Sequence, residues 1–121
     1  MTLKAMQFLA VILTALALVP AGAHLFALPN KIGLPQEQYF TVQGIYYGWA
    51  LLGVILIGAM LADLGLAVRQ RDQRVPFRLA LLAAVLMAAS LLAFFTWTYP
   101  ANQATENWTV APETWQMLRR Q

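Results

Sequence analysis

Cysteine is absent from the 121-residue chain, and histidine occurs once, at His24. The first absence excludes disulfide scaffolds, thiolate metal sites and thiol redox chemistry. The second excludes a multi-histidine metal or haem site built within one chain, and no cofactor is expected. Charge is scarce as well: 11% of residues are charged and 60% are hydrophobic, whereas a soluble domain is roughly a quarter charged and about half apolar. A domain this small has the least favourable surface-to-volume ratio and could not bury so much apolar surface from water. A soluble enzyme, a disordered tail and a nucleic-acid binder are therefore excluded. The net charge of +3 reads as a set of membrane-topology signals rather than a nucleic-acid footprint.

What the chain does contain is long apolar runs. Three of them, from about residue 5 to 28, 46 to 68 and 77 to 99, reach the roughly 20 residues that a helix needs to cross a bilayer. The expected fold is all-α, a single integral membrane helical bundle with three transmembrane helices. The stretch 29–45 contains Pro29, Asn30, Gly33 and Pro35, and its prolines are expected to end the first helix. The loop 69–76 and its edge hold Arg69, Arg71, Arg74 and Arg78, half of the eight basic residues. By the positive-inside rule this loop and the N-terminus with Lys4 face the cytoplasm, while 29–45 and the tail 100–121 lie outside. Arg119 and Arg120 fit this orientation less well. Lys4, an apolar core and Ala21-Gly22-Ala23 also resemble a signal peptide. The apolar run continues past that site to Leu28, so retention of the segment is expected.

Within the spans, small residues recur at helical spacing. Steps of three and four give Gln7, Ala10, Thr14, Ala17, Ala21 and His24 in the first. They give Gly44, Gly48, Leu51, Ile55, Gly58, Ala62 and Gly65 in the second, and Ala80, Ala84 and Ala88 in the third. Small faces let membrane helices approach closely, so these stripes predict a tight bundle with Leu, Ile and Val turned to lipid. Asp63 lies six residues before Arg69 and is expected to reach the interface and pair with the loop arginines.

His24 ends the first stripe, and a titratable group there should face protein or a water-filled cavity. It can act as base, acid or hydrogen-bond anchor, or as a structural bond to a neighbouring helix. Polar and aromatic residues gather at the same level: Tyr39, Gln43, Tyr46, Tyr47 and Trp49 before the second span, and Trp97, Tyr99, Asn102, Thr105, Asn107 and Trp108 after the third. Aromatic residues commonly form interfacial belts, but a belt does not explain Gln43, Asn102 and Asn107. The candidate site is therefore His24 as the catalytic residue, with Gln43, Tyr46, Trp97, Tyr99, Asn102, Asn107 and Trp108 around a flat aromatic or quinone-like ligand. Asn107-Trp108-Thr109 matches the N-glycosylation sequon; the Ala/Leu-rich, cysteine-free chain looks bacterial, and the motif is set aside.

Three segments carry a resemblance: Ala23-His24-Leu25-Phe26-Ala27-Leu28-Pro29-Asn30-Lys31, residues 39–49 (YFTVQGIYYGW), and residues 102–109 (NQATENWT) with Trp115 and Leu118-Arg119-Arg120. Together they resemble a family of small bacterial membrane proteins of unknown function related to the anthrone oxygenase-like proteins. The resemblance implies a four-helix membrane bundle. This chain stops at Gln121, where the family continues into a fourth helix, so either a further segment or another subunit is expected on the open face. The tail 112–121, with Trp115, Met117 and Leu118, could begin a helix or lie along the membrane surface. The resemblance also implies cofactor-independent oxygenation of an activated phenolic ring, with His24 as base and Gln43, Asn102 or Asn107 on the oxyanion. The competing expectation is a non-catalytic membrane protein of the bacterial plasma membrane, packed with itself or a partner subunit.

Overall fold

A computed structural model describes residues 1–115 as helices and tight turns, with no strand among them. The expectations for Met117, Leu118, Arg119 and Arg120 lie outside the described residues. Three helical stretches, Leu3–Lys31, Trp49–Arg69 and Arg74–Ala104, are long and apolar enough to cross a membrane. The chain is an all-α helical bundle and a membrane protein.

Helix α1 (Leu3–Lys31) starts at an N-cap, Thr2, whose hydroxyl accepts the Ala5 N–H at 3.2 Å. It does not stop at Pro29. A proline removes one N–H and crowds one carbonyl, but the helix resumes behind it, the Ile32 N–H donating to the Leu28 carbonyl at 3.0 Å. The extra turn puts Lys31 at the C-terminal end, where the helix dipole favours a cation. The segment expected to be a loop contains α2 (Gln36–Gln43). Pro35 precedes its first turn, where a fixed φ and no N–H cost nothing, and Tyr39 and Gln43, one turn apart, are its buried residues.

The second membrane helix begins later than the apolar run. Residues Gly44–Tyr46 and Trp49–Leu52 form 3₁₀ turns, followed by α3 (Gly53–Arg69). Gly48 joins them with φ of +81°, a left-handed conformation that glycine adopts without Cβ penalty. Gly44 and Gly48 therefore do not form a helix-packing pair, contrary to the expectation from their spacing. The turn 70–73 reverses the chain, with the Gln73 N–H bonding the Gln70 carbonyl at 2.8 Å. Helix α4 (Arg74–Ala93) then runs through a π-helical segment, Phe94–Thr98, into α5 (Tyr99–Ala104).

Helix α3 is central. It packs along α1 on one side and α4 on the other, and these two make no comparable contact with each other. Two buried clusters join the three: Ala10, Leu66, Ala67 and Ala80, and further along Ala17, Ala59 and Met87. The small-residue stripes are thus partly the packing faces. Ala10 and Ala17 on α1 and Ala80 and Ala84 on α4 are buried, whereas Ala21 and Ala88 are exposed. On α3, Gly58 and Gly65 lie against Leu13 and Met6 of α1, and the buried line is Ala59, Asp63, Leu66 and Ala67. Large side chains such as Val11, Leu18, Val54, Leu61 and Leu82 are exposed, as a surface facing lipid tails requires.

Asp63 departs from expectation. It is 5% exposed and accepts a hydrogen bond from the Thr14 hydroxyl of α1, 3.2 Å to Oδ2. The rotation of α3 turns it into the helix interface, and its short side chain cannot climb about 9 Å of helix to the arginines.

Candidate functional site

The His24 end of the bundle brings together one cluster from four elements: α1, α2 and the two 3₁₀ turns. His24 and Lys31 stand seven residues apart on α1, hence on the same face two turns apart. The His24 ring lies 3.9 Å, centroid to centroid, from Tyr46 at an interplanar angle of 31°. Trp49 meets both edge-on, at 5.8 Å from His24 and 4.8 Å from Tyr46. Its position follows from Gly48: the left-handed residue turns the chain so that Trp49 folds back onto Tyr46. Lys31 donates to Gln43 Oε1 at 2.8 Å, and its Nζ stands 4.5 Å from the centre of the Tyr46 ring.

The electrostatics of this cluster are unusual. Lys31 is 5% exposed and Gln43 8%, and no carboxylate pairs with the ammonium among the described residues. A buried cation needs compensation. Here one N–H goes to an amide oxygen and the Tyr46 π-face supplies a cation–π contact, while an ammonium has three donors. The His24 ring makes no hydrogen bond to any described residue. The cluster therefore offers a donor-rich cationic point beside an imidazole with free nitrogens and an aromatic wall. It suits a flat acceptor or an oxyanion. Among the described residues no group of three His, Asp or Glu side chains is placed to hold a metal.

A second cluster closes the same end of the bundle. Thr105, fully buried, donates its hydroxyl to the Ala101 carbonyl at 2.8 Å and accepts the Trp108 N–H at 3.0 Å. Its own carbonyl receives the N–H groups of Thr109 and Val110. The Trp108 indole donates to Asn102 Oδ1 at 2.9 Å, and its ring packs edge-on against Tyr39 and Phe40 of α2, both 5.6 Å away. Trp115 joins the same two rings at 6.2 Å. Glu106, Asn107 and Trp108 all have positive φ, so this reversal is held in a costly left-handed conformation by its hydrogen bonds.

Of the residues singled out from the sequence, His24, Gln43 and Tyr46 come together, and Asn102 and Trp108 bond to each other in the tail. Asn107 is exposed in the left-handed turn. Trp97 and Tyr99 are about half exposed, Tyr99 lying against Phe94 and Phe95; neither touches the His24 cluster. Sequence reasoning missed Lys31, and placed Trp49 only in the general aromatic belt. The seven-residue spacing from His24 to Lys31 was the available signal, hidden by the expectation that Pro29 ends the helix. No family model, curated protein or solved structure matches the chain.

Proposed function

We propose that this chain is a multi-pass protein of a bacterial plasma membrane that holds a flat aromatic or quinone-like ligand at its outward end, without chemistry of its own, and packs with itself or a partner subunit. In this reading the N-terminus and the 70–73 turn are cytoplasmic, because the four arginines at 69, 71, 74 and 78 gather there. The observation that carries the reading is the Lys31 ammonium, buried beneath Tyr46 and bonded to Gln43, with no carboxylate among the described residues to neutralise it. A quinone carbonyl takes the unused donor, and its ring lies on His24 and Trp49.

The test is titration of the detergent-solubilised protein with decylubiquinone, read by tryptophan fluorescence and corrected against protein-free micelles. Saturable quenching, weakened at least tenfold in Lys31→Met and unchanged in Asn107→Ala, supports the site. Equal quenching in Lys31→Met, or none that saturates, removes it.

The second reading is the cofactor-independent oxygenase implied by the resemblance to anthrone oxygenase-like proteins. What favours it is that the His24 nitrogens bond to no described residue and stand beside a cation able to hold an enolate oxygen. Gln43 and Asn102 are less available for that oxygen, being engaged with Lys31 and Trp108. Oxygen uptake with anthrone, abolished in a stably folded His24→Ala protein, would select this reading over the first.

A further inference from the structure

Away from the His24 end, α1 and α4 flank α3 without closing over it. They leave a groove of about 570 Å³ whose floor carries Asp63, Leu66 and Gln70 and whose α1 wall includes Gln7 and Thr14. Drug-sized ligand sites occupy roughly 300–1,000 Å³. Two polar groups in this groove lack the partners their burial demands. Asp63 is 5% exposed, and its only side-chain hydrogen bond among the described residues is the one from Thr14 to Oδ2, leaving Oδ1 unused. Gln70 is 4% exposed and its carboxamide bonds to no described residue. Buried polar groups are seldom left in this state, and an ionisable residue within a membrane span marks a functional site by default.

The two groups lie seven residues apart, Asp63 on α3 and Gln70 capping its C-terminal end, about 10 Å along the helix axis. Between and around them the walls are apolar, as at Leu18 and Leu79. The missing partner is therefore a donor, cationic at the Asp63 end, on an apolar body. Among the described residues the chain's own cations near this end, Lys4, Arg69, Arg71, Arg74 and Arg78, make no bond to either group, and the apolar lining favours a cation carried on an apolar body over a solvated surface arginine.

We propose that this groove is a second site, independent of the His24 cluster, that takes a lipophilic amine from the bilayer. The ammonium pairs with Asp63 Oδ1, the apolar body lies between α1 and α4, and a polar group reaches Gln70.

The probe is dansylcadaverine, a fluorescent primary amine with a sulfonamide along its chain, titrated into the intact protein in nanodiscs against empty nanodiscs. Saturable binding is expected, weakened at least tenfold in Asp63→Asn and in a probe whose amine is replaced by a hydroxyl. Ala15→Trp narrows the groove from the lipid side without touching the carboxyl group, and should also abolish binding. It decides the matter if Asp63→Asn fails to fold. The proposal is overturned if no saturable binding is found, if the hydroxyl probe or either variant binds as well as the native pair, or if cross-linking shows a protein helix seated in the groove.

Discussion

Gly48 shows how one residue decides what a sequence pattern means. Gly44 and Gly48 have the spacing of a membrane packing motif, yet neither would bring a Cβ within 4 Å of another residue. What distinguishes them is backbone: Gly48 has φ of +81°, Gly44 φ of −58°. Gly48→Ala is therefore expected to cost about 1–2 kcal/mol through left-handed strain, and Gly44→Ala less than about 0.5 kcal/mol. Denaturant titration of both in one detergent checks this; equal losses would restore the packing role. The same residue turns Trp49 onto Tyr46 and His24, so Gly48→Ala should also weaken quinone quenching more than Gly44→Ala does. Lys31 could not be read beforehand for a related reason. Its partner Gln43 lies on an element, α2, that the two prolines before it, Pro29 and Pro35, concealed. Asp63 was misplaced because apolar periodicity did not fix the rotation of α3, and only its packing against both neighbours does so.

At the level of elements, the three spans were legible because hydropathy and helix length are properties of contiguous sequence. The irregular segments were not. The 3₁₀ turns at Gly44–Tyr46 and Trp49–Leu52 carry rings that meet the distant His24, and the left-handed run 106–108 combines local hydrogen bonds with ring contacts to the distant α2, neither of which hydropathy records. Trp108 and Trp115 lay the tail over Tyr39 and Phe40 of α2, and Thr105 holds the reversal itself, its hydroxyl both donating and accepting while its carbonyl takes two further N–H groups. Thr105→Val keeps the shape and removes every hydroxyl bond. With each net hydrogen bond contributing about 0.5–1.5 kcal/mol, the reversal should open, and amides 108–110 should exchange with deuterium at least tenfold faster. Trp108→Phe removes only the bond to Asn102 and keeps the ring against Tyr39 and Phe40, so its effect should be smaller. The reverse order would mean that the indole, and not Thr105, holds the reversal.

For the whole molecule, three spans place the 70–73 turn on the opposite side of the bilayer from the 106–108 turn, whichever way the bundle is inserted. The arginine cluster then predicts the direction. Residues 69–78 carry four arginines and one aspartate, while residues 79–115 carry no basic side chain at all; charge bias in short loops of this kind sets orientation. The absence of cysteine makes this directly measurable, since any introduced thiol is unique. Asp72→Cys and Glu106→Cys replace exposed residues outside the membrane helices. In intact bacterial spheroplasts a membrane-impermeant maleimide should label Glu106→Cys and spare Asp72→Cys until the cells are lysed. The opposite pattern would reverse the bundle and bring the His24 cluster to the cytoplasmic side. The lipid-open groove, with Asp63 at its floor, would keep its contact with the bilayer in either orientation. Labelling of both in intact spheroplasts would contradict the three-span arrangement itself, because the two turns would then share one side.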